Sequence, residues 1–287
     1  MISPKLIKVS VVIPVYNNPD GLKKVLESLV DQNFNNNEYE IIIADNGSSD
    51  GSLDVVKEYR GNYPQLVNYV IEDKIQSSYA ARNKGIGVAK GQVLAFTDSD
   101  CIPAKDWLRN GFLSMDDSGA SMVAGRIEMT YKDSAPNIWE YIDTGKLNQR
   151  SYVENAGFGA TANLFVRRNI FSKYGLFRND LQSGGDYEFG RRLTKMGEEL
   201  VYVSNAVVYH PARASFKTRL EKTRRVAKGQ KQLAAMGLVE HTTLSWRNLI
   251  PIVRCPPRNG VSLNRIQRPG ALLAWNFFKY YNLAMRL

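Results

Sequence analysis

Three short apolar runs limit what this chain can fold into. They are Val9-Ser10-Val11-Val12-Ile13-Pro14-Val15, Tyr39-Glu40-Ile41-Ile42-Ile43-Ala44 and Val93-Leu94-Ala95-Phe96, and each breaks off in polar, turn-forming residues. Near-continuous apolar runs suit parallel strands covered by helices on both faces, and ligands of such sheets bind beyond the carboxyl ends of the strands. The second run ends in Asp45-Asn46-Gly47-Ser48-Ser49-Asp50 and the third in Thr97-Asp98-Ser99-Asp100. In extended backbone residues i and i+2 point to the same side, so Asp98 and Asp100 converge if strand geometry persists to the end of the run. Hard divalent cations take such oxygen ligands and can grip a phosphate in turn. A bare Asp-x-Asp is more often a surface turn or a helix cap. Here Asp45 would lie along the same edge as the pair.

The segments between the runs read as helices. Asn18-Pro19-Asp20-Gly21 turns the chain into a stripe of Leu22, Val25, Leu26, Leu29 and Val30 at helical spacing. A helix is expected over 51–59, a short strand over 68–72 and an Ala-rich helix over 78–89, closed near Gly91. That alternation up to Asp100 predicts a doubly wound parallel sheet. Further on the pattern predicts helices over 103–115, 168–174 and 186–196 and strands over 122–130 and 200–208. Residues 138–149 read as a helix or a loop with helical turns, and Gly159, Ala160 and Ala162 allow close approach of backbone to a ligand. Residues 212–236 read as one basic amphipathic helix with Phe216, Leu220, Thr223, Ala227 and Leu233 or Ala234 on one side. Pro251, Pro256, Pro257 and Pro269 punctuate the remainder, which carries Trp275, Phe277, Phe278, Tyr280 and Tyr281.

With 287 residues, 44% of them hydrophobic, the chain can bury a proper core. Its two cysteines, Cys101 and Cys255, lack metal-ligand spacing and suit a reducing cytosol; Cys101 is expected to be a packed small residue. No charged-then-apolar signal pattern precedes Val9, and no apolar run approaches the roughly 18–20 residues of a membrane span, so a cytoplasmic protein is expected. The net charge is +10, yet fifteen Lys and Arg follow Pro211 against only Glu221 and Glu240, which leaves the first 210 residues slightly acidic. Such asymmetry points to an anionic partner for the tail, be it nucleic acid, a phosphorylated ligand or lipid headgroups.

Six segments in order carry a resemblance: Val12-Ile13-Pro14-Val15-Tyr16-Asn17, residues 43–50, Ala80-Ala81-Arg82-Asn83-Lys84-Gly85, Asp98-Ser99-Asp100, residues 184–193 and Tyr209-His210-Pro211. Together they resemble family-2 glycosyltransferases of the A-type fold. That resemblance implies an α/β architecture, a mostly parallel doubly wound sheet flanked by helices with a basic helical C-terminal extension. Residues 1–110 would form the nucleotide-sugar-binding half, 111–211 the acceptor-binding half and 212–287 the extension. The implied activity is a metal-dependent, inverting transfer of a sugar from a nucleoside-diphosphate sugar, a UDP-sugar by preference, to a saccharide or lipid-linked acceptor.

The resemblance also assigns roles. Asp100 would ligate Mn²⁺ or Mg²⁺ directly, Asp98 would be shared between the metal and the ribose, and His210, following the last strand, would complete the site, an imidazole favouring Mn²⁺. Taken alone, His210 reads equally as a hydrogen-bonded structural histidine. Asp186 sits where the family places its base, though the common Glu-Asp pair is here Gly185-Asp186; its alternative is an N-cap. Asp45 would accept from the nucleotide base, flanked by Pro14, Tyr16 and Asn17. Arg82 would face the nucleotide or its phosphates, or else form a helix-surface salt bridge. Arg224 and Arg225 fall where some relatives carry Gln-x-x-Arg-Trp, but the Gln and Trp are absent. Glu188 is a possible substitute base turned away from Asp186 by helix geometry.

Two other classes remain open at this stage. A sugar nucleotidyltransferase would use paired carboxylates with Mg²⁺, but Val12 to Asn17 shows no Gly-rich phosphate loop. A basic nucleic-acid-binding module would explain the tail, but no recognisable motif supports it. No nucleic acid is therefore expected as partner; the basic, aromatic tail reads equally as a segment lying on an anionic membrane surface and as one that packs back on the catalytic domain, its aromatics covering the sheet and its arginines serving the phosphates.

Overall fold

The structure, a computed structural model, describes residues 6–145, 147–255 and 263–287. Pro256, Pro257 and Arg258 of the tail lie outside the described residues. The chain begins with β1 (Val9–Val15), buried along its whole length. Asn18 caps α1 (Pro19–Val30), its side chain accepting from Gly21 N, while Pro19 sits at the helix start where no N–H is needed. The expected stripe buries Leu22, Val25, Leu26 and Leu29, each side chain contributing about 1.5–3 kcal/mol of burial. β2 (Tyr39–Asp45) is equally buried. Its Glu40 is tolerated there because it accepts from Ser10 Oγ and Lys90 N, both at 2.7 Å.

α2 (Ser52–Asn62), β3 (Val67–Ile71), α3 (Ser78–Val88) and β4 (Val93–Phe96) complete the first half. The four strands lie parallel in the order β3-β2-β1-β4, the doubly wound arrangement expected from the alternation. The carboxyl ends of β1, β2 and β4 therefore open at one edge.

Beyond Asp100 the boundaries shift. The helix expected over 103–115 starts later, as α4 (Trp107–Ser118), because Ile102 and Pro103 form the short strand β5 (Ile102–Pro103). β5 is an edge strand, where a proline without N–H is tolerated. β6 (Met122–Thr130) follows as expected, and residues 138–149 resolve into α5 (Ile138–Thr144) and the start of α6 (Gln149–Ala156). A 3₁₀ turn at Thr161–Asn163 leads into β7 (Leu164–Arg167), antiparallel to β4 and β6, and α7 (Arg168–Tyr174) and α8 (Gly185–Lys195) match their expected positions closely. β8 (Leu200–Pro211) runs three residues past the expected end, so His210 lies inside the strand instead of following it. The full order is β3-β2-β1-β4-β7-β6-β8-β5, parallel in its first half and mixed in its second.

The described residues fall into two compact units. The first takes those within Met1–Glu128, Gln149–Asp180 and Gly185–His210, and holds most of the sheet. The second takes Met129–Asn148, Leu181–Gly184 and Pro211–Leu287, with α9 (Phe216–Ala235), α10 (Trp246–Leu249) and α11 (Gln267–Arg286). α9 starts later than expected because Ser215 caps it, accepting from Thr218 N at 3.3 Å. Its buried face contains Thr223, Ala227, Leu233 and Ala234 as expected, and also Arg219, while Leu220 is only partly buried. Phe216 remains partly exposed but packs on Trp139, Phe277 and Phe278. In α11, Trp275 meets Tyr141 and the buried Phe278 meets Trp139, so the terminal aromatics largely turn into their own unit.

Arg219 is buried because Asp143 is. The Asp143 carboxylate, fully buried, accepts from Arg219 Nη1 at 3.1 Å, Arg213 Nη1 at 3.2 Å and Lys222 Nζ at 2.9 Å. Burial pushes this carboxyl up, but the charges of Lys222, Arg213 and Arg219 outweigh it and hold it well below the usual carboxylate range. Burial, followed by the charge of Arg213, brings Lys222 down to about 7 against the pull of Asp143. The two arginines cannot deprotonate, so Asp143 stays ionised whatever Lys222 does.

Asp143→Ala leaves these cations buried without their counter-charge and is expected to destabilise the protein by roughly 3–5 kcal/mol. Denaturant unfolding followed by tryptophan fluorescence measures this, and a loss below about 1 kcal/mol would show that the cluster is not a buried ion network. Because the folded carboxyl is depressed, its contribution is present above the unfolded value of about 4 and fades as pH falls through the folded one. Titration of this carboxyl should therefore narrow the difference between the two proteins in strong acid, and loss of the Lys222 proton should narrow it as pH rises through about 7.

Candidate active site

The loops that follow β1, β2 and β4 are tied to one another by polar contacts. Asn17 stands at φ 48°, a left-handed conformation that asparagine tolerates better than most residues. Its N donates to Ser48 Oγ at 3.0 Å, and its Oδ1 accepts from Ser49 N at 2.8 Å. Asn18 donates through Nδ2 to Ser99 O and Ser99 Oγ, both at 3.2 Å, which joins the β1 loop to the Asp98-Ser99-Asp100 turn. Pro14 is buried in β1 beside Ala44, and Tyr16 is 52% exposed at the rim. Asp45 is fully buried. Its Oδ2 accepts from Gly47 N and Ser48 N at 3.0 Å each, while Oδ1 is buried with no hydrogen-bond donor among the described residues. A buried carboxylate oxygen in that condition is costly, and an external N–H would satisfy it.

Arg82, on α3, is buried and forms an ion pair with Asp98. It is thus not on the helix surface. Its guanidinium lies 5.6 Å from the Tyr79 ring centroid, and its Nε is buried without a hydrogen-bond acceptor among the described residues. Asp98, Asp100, Cys101 and His210 each place a ligand atom within 4.8 Å of those of the other three. Strand register contributes to this: β5 pairs antiparallel with β8, Ile102 opposite Tyr209 and Pro103 opposite Val208, and Cys101 and His210 are the residues that follow Ile102 and Tyr209 at that end of the pairing. Donor atoms bound to one divalent ion at about 2.0–2.4 Å lie within that mutual reach. Two carboxylates and an imidazole so placed fit Mn²⁺ or Mg²⁺. Burial, and next the charges of Asp100 and Asp98, push the Cys101 thiol up.

Asp186 lies in the first turn of α8 and not at its N-cap. Its Oδ1 accepts from Tyr187 N at 2.9 Å and faces Tyr79 Oη at 3.4 Å. Burial raises its pKa above the usual carboxylate range; the Tyr187 N–H and the charge of Arg82 pull it back, and the charge of Asp98 adds to the rise. Glu188 is committed elsewhere, buried and gripped by Arg192 through Nε at 2.7 Å and Nη2 at 3.2 Å. A Cβ at Gly185 would meet the Tyr79 ring at 2.8–2.9 Å, which gives a physical reason for the missing acid before Asp186. Gly184 turns the chain into the helix at φ 84°.

Arg224 and Arg225 belong to the second unit, on α9. Arg224 Nε donates to Tyr281 Oη at 2.6 Å, and Arg225 is exposed. Sequence reasoning missed the bridging role of Asn18, Tyr79 beside Asp186, and Cys101 as a member of the convergent cluster. Only Asn18 had a local signal, as a polar residue before a proline at a helix start.

Residues 10–175 match the family model for glycosyl transferase family 2. The glycosyltransferase AglE of Haloferax volcanii is 36% identical over 225 residues, covering 78% of this chain and 73% of that protein. The mannosyltransferase PcManGT of Pyrobaculum calidifontis, solved with GDP-Man and Mn²⁺, superposes with a TM-score of 0.63 at 16% identity, over 99% of this chain and 74% of that one. Staphylococcus aureus TarS 1–349, solved with UDP-GlcNAc, gives 0.59 at 20% identity, over 84% and 74%.

The Tyr79 contact predicts the effect of restoring an acid at position 185. Gly185→Glu forces that ring aside and should cost about 1–3 kcal/mol, and the same substitution made in a Tyr79→Ala background should cost much less than it does in the parent. Thermal unfolding of the single and double variants is the measurement; a Gly185→Glu protein as stable as the parent would clear Tyr79 of the obstruction.

Proposed function

The chain belongs to glycosyl transferase family 2, and from that premise we propose that it transfers a sugar from a UDP-sugar to a hydroxyl of a saccharide or lipid-linked acceptor, with inversion. The observation that carries this reading is the convergence of Asp98, Asp100 and His210, with Asp186 close enough to feel the charge of Asp98. Asp100, Asp98 and His210 would hold Mn²⁺ or Mg²⁺, which when bound neutralises the diphosphate leaving group as a Lewis acid. Arg82 holds Asp98 in place through their ion pair, and the same guanidinium is available to phosphate oxygens. Asp45 Oδ1 accepts the ring N–H of the base, flanked by Pro14, Tyr16 and Asn17. Asp186 takes the proton of the attacking hydroxyl, its carboxylate oriented by Tyr187 N and Tyr79 Oη. One base and one in-line displacement suffice for inversion. A screen of UDP-, GDP- and dTDP-sugars for hydrolysis and thermal stabilisation tests the donor, and a silent UDP series would overturn the uridine assignment.

Two variants separate metal site from base. Asp100→Ala should abolish the Mn²⁺-dependent part of UDP affinity in calorimetric titration; an unchanged affinity would remove Asp100 from the metal site. Asp186→Asn should lower turnover at least roughly 100-fold with donor binding near that of the parent. Since the base works ionised and its pKa is raised, activity should fall with decreasing pH through a midpoint above about 4. The variant's residual rate should lack that limb.

The second unit supports a peripheral place on the cytoplasmic face of a membrane. Leu244, Trp246, Leu249, Ile250 and Val253 are exposed beside Arg247 and Arg254. Among the described residues no helix is long and apolar enough to cross a membrane. Apolar side chains interleaved with arginines suit the interface of an anionic bilayer, each basic residue contributing about 1 kcal/mol. Full-length protein should cosediment with anionic but not neutral liposomes, and Trp246→Ser should weaken the attachment. Protein left in the supernatant with anionic vesicles would refute it.

A further inference from the structure

The cluster at the carboxyl edge contains a donor that the transfer reaction does not use. Cys101 is fully buried, and its Sγ lies 3.8 Å from Asp100 Oδ1. Neighbouring sulfur and oxygen donors on a tetrahedral ion, with metal–sulfur near 2.3 Å and metal–oxygen near 2.0–2.2 Å, stand about 3.5 Å apart. Cys101 and His210 flank the Ile102–Tyr209 pair of β5 and β8 at the same end, and both are buried. The ion pair with Arg82 occupies Oδ1 of Asp98 alone. Two carboxylates, a thiol and an imidazole are thus gathered within 4.8 Å.

We propose that this site has two coordination modes, one for hard and one for thiophilic ions. Mn²⁺ or Mg²⁺ binds through oxygen and imidazole, leaves the thiol protonated and keeps positions for a diphosphate. Zn²⁺ takes the Cys101 thiolate together with Asp98, Asp100 and His210, the thiol proton leaving to solvent as the metal–sulfur bond forms. Four protein ligands close a tetrahedral ion, and a closed zinc site has no position left for a substrate. Zn²⁺ is bound more tightly than Mn²⁺ by most such donor sets, so trace Zn²⁺ competes and excludes the nucleoside diphosphate. The consequence for catalysis rests on the transferase reading above; the coordination itself does not.

The test uses full-length protein carrying Cys255→Ser, which removes the other cysteine. Titration with Co²⁺ as a spectroscopic substitute for Zn²⁺ should give a sulfur-to-cobalt charge-transfer band that saturates at one ion per chain, with release of one proton. Zn²⁺ should abolish the band and prevent UDP binding. In Cys101→Ser the band should vanish, and Zn²⁺ affinity should fall at least about tenfold, with Mn²⁺ affinity moving less. X-ray absorption on the Zn²⁺-loaded chain with Cys101 intact should show one sulfur near 2.3 Å, a reading that does not depend on whether the variant folds. Bound Co²⁺ without the band, an all-oxygen-and-nitrogen zinc shell, or undiminished UDP binding in the presence of Zn²⁺ would overturn the proposal. Mn²⁺-dependent transfer with no sulfur signal would sink this inference and leave the transferase reading standing; a sulfur signal with no transfer from any donor would do the reverse.

Discussion

The ion pair between Arg82 and Asp98 is the contact on which the site depends. Two carboxylates one residue apart at the tip of a buried strand repel, and taking either out of water is expensive unless a cation accompanies it. Arg82 supplies that cation from α3 and is itself buried. The arrangement fixes more than one aspartate. Tyr79, on the same helix, stacks near the guanidinium and reaches towards Asp186, so the position of α3 relates Asp186 to the carboxylate pair. The raised pKa of Asp186 comes first from its burial; the Tyr187 N–H and the charge of Arg82 work against the rise, and the charge of Asp98 adds to it by less than Arg82 removes.

Sequence alone showed the first half of the sheet well because fully buried parallel strands leave an uninterrupted apolar trace, and β1 and β2 are buried at every position. The polar residues at their ends, Asp45 and the Asp98-Ser99-Asp100 turn, were readable for the same reason: the traces stop there. The second half was less legible where its strands are short: β6 and β8 were readable, but β7 has four residues and β5 only two. β5 is two residues long and exists only because β8 lies beside it, so it was absorbed into the expected helix. That one pairing also carries His210 and Cys101 to the aspartates. No local pattern encodes it.

The departures from expected burial have a similar origin. Arg219 sits on the inward face of α9 only because Asp143, 76 residues away, receives it. Tyr79 and Asp186 are 107 residues apart, and the glycine between Gly184 and Asp186 is explained by the ring and not by its neighbours in sequence. A periodicity reading assigns charged residues to solvent, and it fails wherever a buried counter-charge or an aromatic wall from another element changes the local cost.

The basic tail shows how far composition can mislead when charges are merely counted. Of its fifteen Lys and Arg, Arg213, Arg219 and Lys222 neutralise Asp143, and Arg224 is held by Tyr281. These four are committed to the packing of the second unit, and moving them onto an external anion would leave a buried carboxylate or a tyrosine hydroxyl without its partner. Attraction to a phosphate-rich surface must therefore come from the exposed remainder, Arg225, Arg247 and Arg254 among them. Exposed charges are screened over about 8–10 Å at physiological ionic strength, so attachment through them is local and salt-sensitive. The exposed Trp246 and its apolar neighbours are insensitive to that screening, and any hold on a bilayer that survives moderate salt has to rest on their insertion together with the arginines beside them.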